Sequence, residues 1–390
     1  MTMLQGLRAD RAQETREQIV RETGGEKTMK SSRVLKLMIL PCIAASSSAL
    51  GSDGETDVNN EYPAVGAYYE YFVLLPPDGP PEVTFAEESC TGTLVSEKVL
   101  LTAAHCTAYN YVNDGLTGYY DQAWVTFDVV ATANDFRCFL RDQNVPYSEF
   151  LTGDLACDEA AKTSPFPVFR AAAITGRVDG VPIAHGLTHP DYLRAALKND
   201  GTGKAADPNL QNAPDMGAVI LIEPVTTITP LPLRAPGELD AIANLVGTPA
   251  VSVGYGLNWT KITGQQPSRS LGPLTFGGDS GVKRIARVGP IQSVHENSLW
   301  PRQSPQKGDD AVCYGDSGSP LFLERDGVVE QVVTGVLSGW ALWCQGSKDP
   351  YFRVDQATAH EFLQCVIDNQ DDAAQACREC SAENTLGLCE

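Results

Sequence analysis

The chain has 390 residues, 43% of them hydrophobic and 20% charged, and it carries a formal net charge of −20 at pH 7. This length suits one large domain or two small barrels that share a core. The excess of acidic residues argues against nucleic acid and anionic membranes as partners, because both would be repelled by the surface. The charge instead favours a soluble surface that resists self-association.

The first predicted element is a secretory signal over residues 29–49. Basic residues follow Met29, an apolar core runs from Leu37 to Ala45, and small residues lead to Ala49. The core is too short to span a bilayer, so we expect cleavage near Ala49 rather than a membrane anchor. Residues 1–28 are charged and without pattern, and we expect this extension to be either untranslated or disordered.

Cysteine usage indicates an oxidising compartment, secreted or periplasmic. Of the eleven cysteines, Cys42 lies in the signal, and the remaining ten favour disulfides over reactive thiols or a zinc site. The Cys377-x-x-Cys380 spacing suggests a metal or redox site as the alternative, but no second such pair and no nearby histidine accompany it. The ten are Cys90, Cys106, Cys138, Cys157, Cys313, Cys344, Cys365, Cys377, Cys380 and Cys389.

From Tyr62 onward, short apolar runs alternate with clusters of Gly, Pro, Asn and Asp, which is typical of antiparallel strands. A helix is predicted over 356–369, where the apolar residues between Ala359 and Val366 share one face. The pattern predicts a closed or sandwiched all-β protein. The clearest predicted strands are 65–75, 92–101, 124–130, 218–222, 250–256, 320–324 and 329–338.

Two short motifs carry the chemistry. Residues 101–106 read Leu-Thr-Ala-Ala-His-Cys, and residues 311–320 read Ala-Val-Cys-Tyr-Gly-Asp-Ser-Gly-Ser-Pro. The second motif places Ser317 on a turn bracketed by glycines, where backbone N–H groups can converge on an oxyanion. The first places His105 at the end of an apolar run. A serine hydroxyl needs a positioned imidazole to take its proton, because it is barely ionised at neutral pH.

Together the two motifs resemble those of the trypsin/chymotrypsin-like serine protease family. The resemblance implies two six-stranded antiparallel β-barrels, an active site in the cleft between them, and a C-terminal helix. It assigns residues 50–365 to the protease domain, with a first barrel over about 55–225 and a second over about 240–355. Residues 366–390 are then a cysteine-containing tail.

Residues 131–180 have no counterpart in the core of that family. They contain Cys138 and Cys157. We therefore expect a loop insertion that is held by its own disulfide.

The resemblance makes Ser317 the nucleophile and His105 the general base, with the N–H groups of Gly315 and Ser317 as the oxyanion hole. Residues 278–281 repeat the Gly-Asp-Ser-Gly string, so Ser280 is a rival nucleophile. Ser317 is preferred because a cysteine precedes it and an apolar strand follows it, whereas Ser280 lacks both.

The third member of the triad must be a carboxylate that orients the imidazole. Asp215 fits best, since Asp215-Met-Gly-Ala-Val-Ile-Leu resembles the Asn-Asp-Ile-Ala-Leu-Leu pattern of the family. The upstream string His189-Pro-Asp-Tyr also resembles a sequence that often precedes it. Asp191 and Asp207 are rivals, but no apolar strand follows either one directly.

The resemblance also implies two disulfides. Cys90, in Cys-Thr-Gly-Thr-Leu-Val, would pair with Cys106 and pin the loop that presents His105. Cys313 would pair with Cys344 across the primary specificity pocket. The pairing of the last four cysteines stays open.

The residues expected to line the substrate pocket predict a preference for small or apolar side chains at P1. Ala311 and Val312 stand near the position where trypsins carry an aspartate, and the far wall reads Ser338-Gly339-Trp340. A basic side chain would find no partner there. A register shift of one residue, however, would bring Asp309 or Asp310 into the pocket.

One feature of the family is missing. After activation its proteases usually begin with Ile-Val-Gly-Gly, and the new α-amino group pairs with the aspartate beside the nucleophile, here Asp316. Residues 50–61 contain no such sequence and no basic cleavage site. The activation route and the partner of Asp316 therefore stay open.

These observations favour a secreted, monomeric serine endopeptidase that acts on protein or peptide substrates and uses no cofactor or metal. Two alternatives remain. One is a non-catalytic protease-like protein that binds a partner through the same scaffold. The other is an esterase with the same triad.

Overall fold

The structure of the chain is a computed structural model. It describes residues 54–74, 89–107, 119–144, 168–172, 177–178, 181–182, 185–192, 214–257, 281–304, 307–338, 349–381 and 389. Several predictions made above lie outside these described residues: the extension over 1–28, the signal over 29–49, and residues Cys157, Asp207, Ser280, Gly339, Trp340 and Cys344.

Short strands dominate the described part of the chain. The strands are β1 Glu55–Thr56, β2 Val65–Leu74, β3 Ser89–Leu94, β4 Val99–Thr102, β5 Tyr119–Thr126, β6 Val168–Arg170, β7 Arg177–Val178, β8 Val181–Pro182, β9 Leu187–Thr188, β10 Gly217–Ile220, β11 Ala250–Gly254, β12 Arg284–Ala286, β13 Ile291–Val294, β14 Ser298–Pro301, β15 Pro320–Arg325, β16 Val328–Val329, β17 Gly335–Leu337 and β18 Tyr351–Arg353. The helices are α1 Ala104–Thr107, α2 Ala133–Asp142, α3 Glu238–Ala241, α4 Ala357–Asp368 and α5 Ala373–Cys380.

The first large sheet has seven strands in the order β6-β5-β2-β3-β4-β10-β9, all paired antiparallel. Its longest pairing joins β2 to β5, with Tyr68 opposite Val125. Tyr68, Tyr69 and Tyr71 are all buried, so β2 is covered on both faces. This strand therefore forms the centre of the first core.

The second large sheet has nine strands in the order β1-β12-β11-β15-β17-β18-β14-β13, with β16 paired to β15. Its central strand β15 buries Leu321, Phe322 and Leu323. The ring of Phe322 stacks on that of Tyr62 at 5.4 Å. Two curled antiparallel sheets with a C-terminal helix confirm the predicted two-barrel fold class. The strand numbers exceed six because short edge strands extend each sheet.

The stretch predicted as one strand over 92–101 is instead a hairpin of β3 and β4. The hydroxyl of Ser96 accepts the N–H groups of Lys98 at 3.3 Å and Val99 at 3.0 Å, which closes the turn between Leu94 and Leu100. The predicted strand over 329–338 is likewise divided between β16 and β17.

The described part of 131–180 corrects the expectation of a loop insertion. Helix α2 begins with a capping box, in which Thr132 and Asp135 bind each other's backbone N–H groups. Phe136 of this helix is buried and stacks on Tyr69 at 4.8 Å. Strand β6 pairs with β5 in the first sheet. Cys138 is disulfide-bonded, and its predicted partner lies outside the described residues.

Helix α4 confirms the predicted helix over 356–369, and its buried residues Ala359, Phe362, Leu363 and Val366 are those of the predicted face. The boundary expected between the protease domain and the tail, after residue 365, falls within this helix. Helix α5 follows and is held by disulfides Cys365–Cys380 and Cys377–Cys389.

The α4–α5 segment is tied to the β3–β4 turn. Ser96 donates to Gln370 at 2.6 Å, and Lys98 pairs with Asp371 at 2.7 Å. Disulfides of this kind are typical of extracellular proteins. None of the helices in the described ranges is long and apolar enough to cross a membrane.

Candidate active site

The pairing of β4 with β10 brings His105 and Asp215 together. His105 lies on α1, just beyond the end of β4, and Asp215 lies just before β10. The two strands are antiparallel, with Gly217 opposite Thr102, so the end of one meets the start of the other. A Cβ on Gly217 would lie 2.5 Å from the hydroxyl of Thr107, and glycine therefore permits this close approach of α1 to β10.

Asp215 binds His105 through both carboxylate oxygens. Its Oδ2 lies 2.7 Å from Nδ1 of the imidazole, and its Oδ1 accepts the backbone N–H of His105 at 2.9 Å. The carboxylate is fully buried, whereas the imidazole is 30% exposed. This arrangement fixes a proton on Nδ1 and turns Nε2 outward as a proton acceptor.

Ser338 completes the surroundings of this carboxylate. Its buried hydroxyl donates to Oδ2 of Asp215 at 2.5 Å. The sequence assigned Ser338 to the substrate-binding wall and gave no sign of this contact. A buried carboxylate needs several hydrogen-bond donors. This general rule is the one signal that could have indicated a further donor such as Ser338.

The environment keeps Asp215 ionised. Burial acts to raise its pKa, but the charge of His105 and the hydrogen bonds from His105 and Ser338 outweigh burial and hold the pKa below its usual value. An ionised carboxylate at this place stabilises an imidazolium. The rival Asp191 lies elsewhere, with its N–H bound to Nδ1 of His189 at 3.2 Å.

The turn that carries Ser317 is docked on β3 of the first sheet. Gly315 and Gly318 have φ values of 94° and 87°, which glycine adopts without strain. Thr91 donates its N–H to the carbonyl of Ser317 at 2.7 Å and its hydroxyl to the carbonyl of Gly315 at 2.9 Å. A Cβ on Gly318 would lie 2.1 Å from the Thr91 carbonyl.

The N–H groups of Gly315 and Ser317 make no hydrogen bond within the described part of the chain. Both donors lie on the turn that presents the Ser317 hydroxyl. They can therefore serve an incoming oxyanion.

A disulfide places the histidine turn beside the serine turn. Cys90 and Cys106 are joined, the pair that the resemblance implied, and Sγ of Cys106 lies 4.0 Å from the carbonyl oxygen of Ser317. Among the described residues no hydrogen bond joins the Ser317 hydroxyl to the His105 imidazole. In proteins without bound substrate such contacts are often longer than a hydrogen bond.

A group of potential metal ligands at this site does not fit a metal. Ligand atoms of Cys90, His105 and Cys106 lie within 4.8 Å of one another. The two sulfur atoms, however, are bonded to each other and offer no thiolate.

The two acidic residues near the predicted pocket are held by other groups. Arg302 donates two hydrogen bonds of 2.7 Å to the carboxylate of Asp309, which also accepts the N–H of Ser304 at 3.0 Å. Asp310 accepts the N–H of Arg287 at 2.8 Å. Ala311 and Val312 are buried. Cys313 is disulfide-bonded, and the rest of the predicted pocket lies outside the described residues.

The comparisons with known proteins give distant similarity only. No family model matches the chain. The chain is 22% identical over 294 residues to the inactive CLIP domain-containing serine protease A28 of Anopheles gambiae, covering 75% of this chain and 59% of that protein. It thus spans about three fifths of that relative's length. A solved chain described as the atomic resolution structure of HBP is 16% identical with a TM-score of 0.42, covering 81% of this chain and 96% of that chain.

The relative supports a loose kinship with chymotrypsin-like proteins. Because it is itself described as inactive, kinship alone does not make this chain an enzyme. The chemistry of the site has to carry that conclusion.

Proposed function

We propose that this chain is a serine endopeptidase that cleaves peptide bonds through Ser317, His105 and Asp215. The observation that supports this most strongly is the buried carboxylate of Asp215, which binds both the imidazole and the backbone of His105 and accepts a hydrogen bond from Ser338. A histidine used only for packing would not need its tautomer fixed by a buried, ionised carboxylate.

In the proposed mechanism, Oγ of Ser317 attacks the peptide carbonyl carbon while Nε2 of His105 takes the hydroxyl proton. The carbonyl oxygen becomes an oxyanion, which the N–H groups of Gly315 and Ser317 stabilise. His105 then gives its proton to the leaving amine, and an acyl-enzyme remains. Water deprotonated by His105 hydrolyses this ester and restores the Ser317 hydroxyl. Asp215 stays ionised and stabilises the imidazolium in both steps.

The proposed P1 preference is for small or apolar side chains. Ala311 and Val312 bring no charge, and Asp309 is already paired with Arg302. Asp310 accepts a backbone N–H of Arg287. These contacts support the register in which neither acid reaches the pocket.

A non-catalytic binding protein is the second candidate. Two observations favour it: the inactive relative, and the lack of a hydrogen bond between Ser317 and His105 in the described residues. The esterase alternative has no observation of its own. We further propose that the mature protein is exported, monomeric and active on protein or peptide substrates.

A series of matched peptides that differ only in a P1 residue of Ala, Leu or Arg tests both the activity and the preference. We expect kcat/KM to be higher for Ala and Leu than for Arg, since a buried cation would find no carboxylate. Ser317→Ala is the inactive control, and its kcat should be several orders of magnitude lower than that of the wild type. A clear preference for Arg would mean that an acid reaches the pocket. Absence of cleavage by folded protein would favour the binding protein.

A further inference from the structure

The serine turn rests on the side chain of Asp316, which lies between the two proposed oxyanion donors in the sequence. Its Oδ1 accepts the N–H of Gly256 at 2.7 Å, and its Oδ2 accepts the N–H of Cys313 at 2.8 Å. Gly256 lies just after β11 of the second sheet. The position of the Asp316 carboxylate therefore helps to set the position of the Gly315 and Ser317 N–H groups.

A buried arginine reaches the same place from β12. Arg284 is 6% exposed and donates from Nη1 to the carbonyl of Gly256 at 2.7 Å. Arg284 and Asp316 line one small cavity together with Gly254 and Gly256. A Cβ on Gly254 or Gly256 would lie 2.2 or 2.4 Å from a carboxylate oxygen of Asp316. The two glycines thus leave the room that this carboxylate occupies.

We propose that Arg284 is a positioning residue for the oxyanion hole: its guanidinium supplies the positive charge that keeps Asp316 ionised and the Gly315–Ser317 turn formed. The hole then does not depend on an α-amino group released by proteolysis. This accords with residues 50–61, which hold no Ile-Val-Gly-Gly sequence. The inference rests on the proposed peptidase function, because it concerns the same site.

The electrostatics of the cavity agree with this role. Burial raises the pKa of Asp316 to about 6, while its two backbone hydrogen bonds and the charge of Arg284 act in the opposite direction. Among the described residues, Tyr351 of β18 is the other titratable group that interacts with Asp316. Burial raises the pKa of Tyr351, so its hydroxyl stays neutral. A buried carboxylate without its cation takes up a proton at higher pH.

The test compares Arg284→Met with Arg284→Lys and with Arg287→Met. Arg287 is a matched control because it lies three residues further on, its side chain is 66% exposed, and its guanidinium pairs with Glu324. Arg284→Met should lower kcat about 10- to 100-fold with little change in KM, approaching the loss caused by removing an oxyanion-hole donor. The acid limb of its kcat/KM profile should move to higher pH. Arg284→Lys should recover most of the activity, and Arg287→Met should behave like the wild type.

A second arm concerns the N-terminus. A form with extra residues ahead of the mature N-terminus should keep kcat/KM within about twofold of the mature form. Loss of activity on such extension, or an Arg284→Met variant with the wild-type kcat and pH profile, would overturn the inference.

A third arm does not require activity. Asp316 titrates at about 6 in the fold against its usual 3.8, so its ionisation costs stability as the pH rises through that window. Without Arg284 the cost should grow, and the Tm deficit of Arg284→Met relative to Arg287→Met should be larger at pH 8 than at pH 5. Equal Tm deficits at pH 5 and pH 8 would overturn the proposed interaction of Arg284 with Asp316. A wild-type chain that cleaves no peptide would overturn the proposed function, while the Tm comparison would still test that interaction.

Discussion

Among the individual residues, Asp215 matters most because it holds His105 in place. An ionised carboxylate accepts both the backbone N–H and the Nδ1 proton of that histidine. Ser338 adds a third donor from a position 123 residues away in sequence. The side chains act as a unit, so removal of one should affect the chemical step more than substrate binding.

Asp215→Asn tests this arrangement. The amide is almost the same size, but its NH₂ group can donate to Nδ1 and so favour the wrong tautomer. We expect kcat to fall about 10⁴-fold with a small change in KM. The rival Asp191 provides the control, and steady-state kinetics on one peptide substrate is the measurement. Comparable losses in Asp191→Asn and Asp215→Asn would refute the assignment.

At the level of the elements, a second buried cation lies directly before β12, next to Arg284. Lys283 is fully buried, and its Nζ donates to the side chain of Asn60 at 2.7 Å and to the carbonyls of Tyr62 and Phe127 at 3.1 and 3.0 Å. These contacts join the segment before β2 to the end of β5. Burial lowers the pKa of Lys283 to about 8 although Asp57 and Asp128 oppose the shift.

Lys283→Met should destabilise the fold by about 2–4 kcal/mol, because two buried carbonyls lose their donor. The folded pKa lies below the usual 10.5, so the unfolded chain binds more protons between about pH 8 and 10.5. The stability of the wild type relative to the variant should therefore grow as the pH rises through this window. Denaturant unfolding at pH 7 and pH 10 measures it, with the exposed Lys307→Met as control. A constant difference would show that Lys283 does not titrate as described.

The elements also show what the sequence could and could not predict. Short apolar runs between turn residues predict the strands, and apolar residues at helical spacing predict the helix over 356–369. Burial of one face leaves such a regular spacing in the sequence. Apolar content alone does not predict the turn at Ser96, although the polar residues Ser96, Glu97 and Lys98 interrupt the run over 92–101 where the chain reverses. The lack of a family counterpart for 131–180 favours a loop there, but Thr132 and Asp135 form a capping box that can be read in the sequence and marks the start of α2.

The same limit applies to the site. His105, Asp215 and Ser317 stand in local strings with a recognisable pattern. The contacts of Ser338 with Asp215 and of Arg284 with Gly256 join residues far apart in sequence. The first contact depends on how the two sheets pack together, and the second on the pairing of β11 with β12. Neither arrangement can be read from the short strings that contain these residues.

At the scale of the whole molecule, the proposed site needs both sheets. His105 and Asp215 adjoin strands of the first sheet, while Ser317 and Ser338 adjoin strands of the second. Thr91 of β3 connects them through its bonds to the serine turn and by accepting the N–H of Tyr255 at 3.1 Å. The function proposed for the chain is therefore a property of the assembled fold.

Labelling with a fluorophosphonate, followed by peptide mapping, shows directly whether Ser317 is the activated nucleophile. The reagent reacts far faster with a serine whose hydroxyl is activated by a base and flanked by an oxyanion hole than with an ordinary serine. We expect one modified residue, Ser317, with labelling lost in Ser317→Ala and retained in Ser280→Ala. Modification of Ser280, or no labelling of the folded wild-type chain, would contradict it.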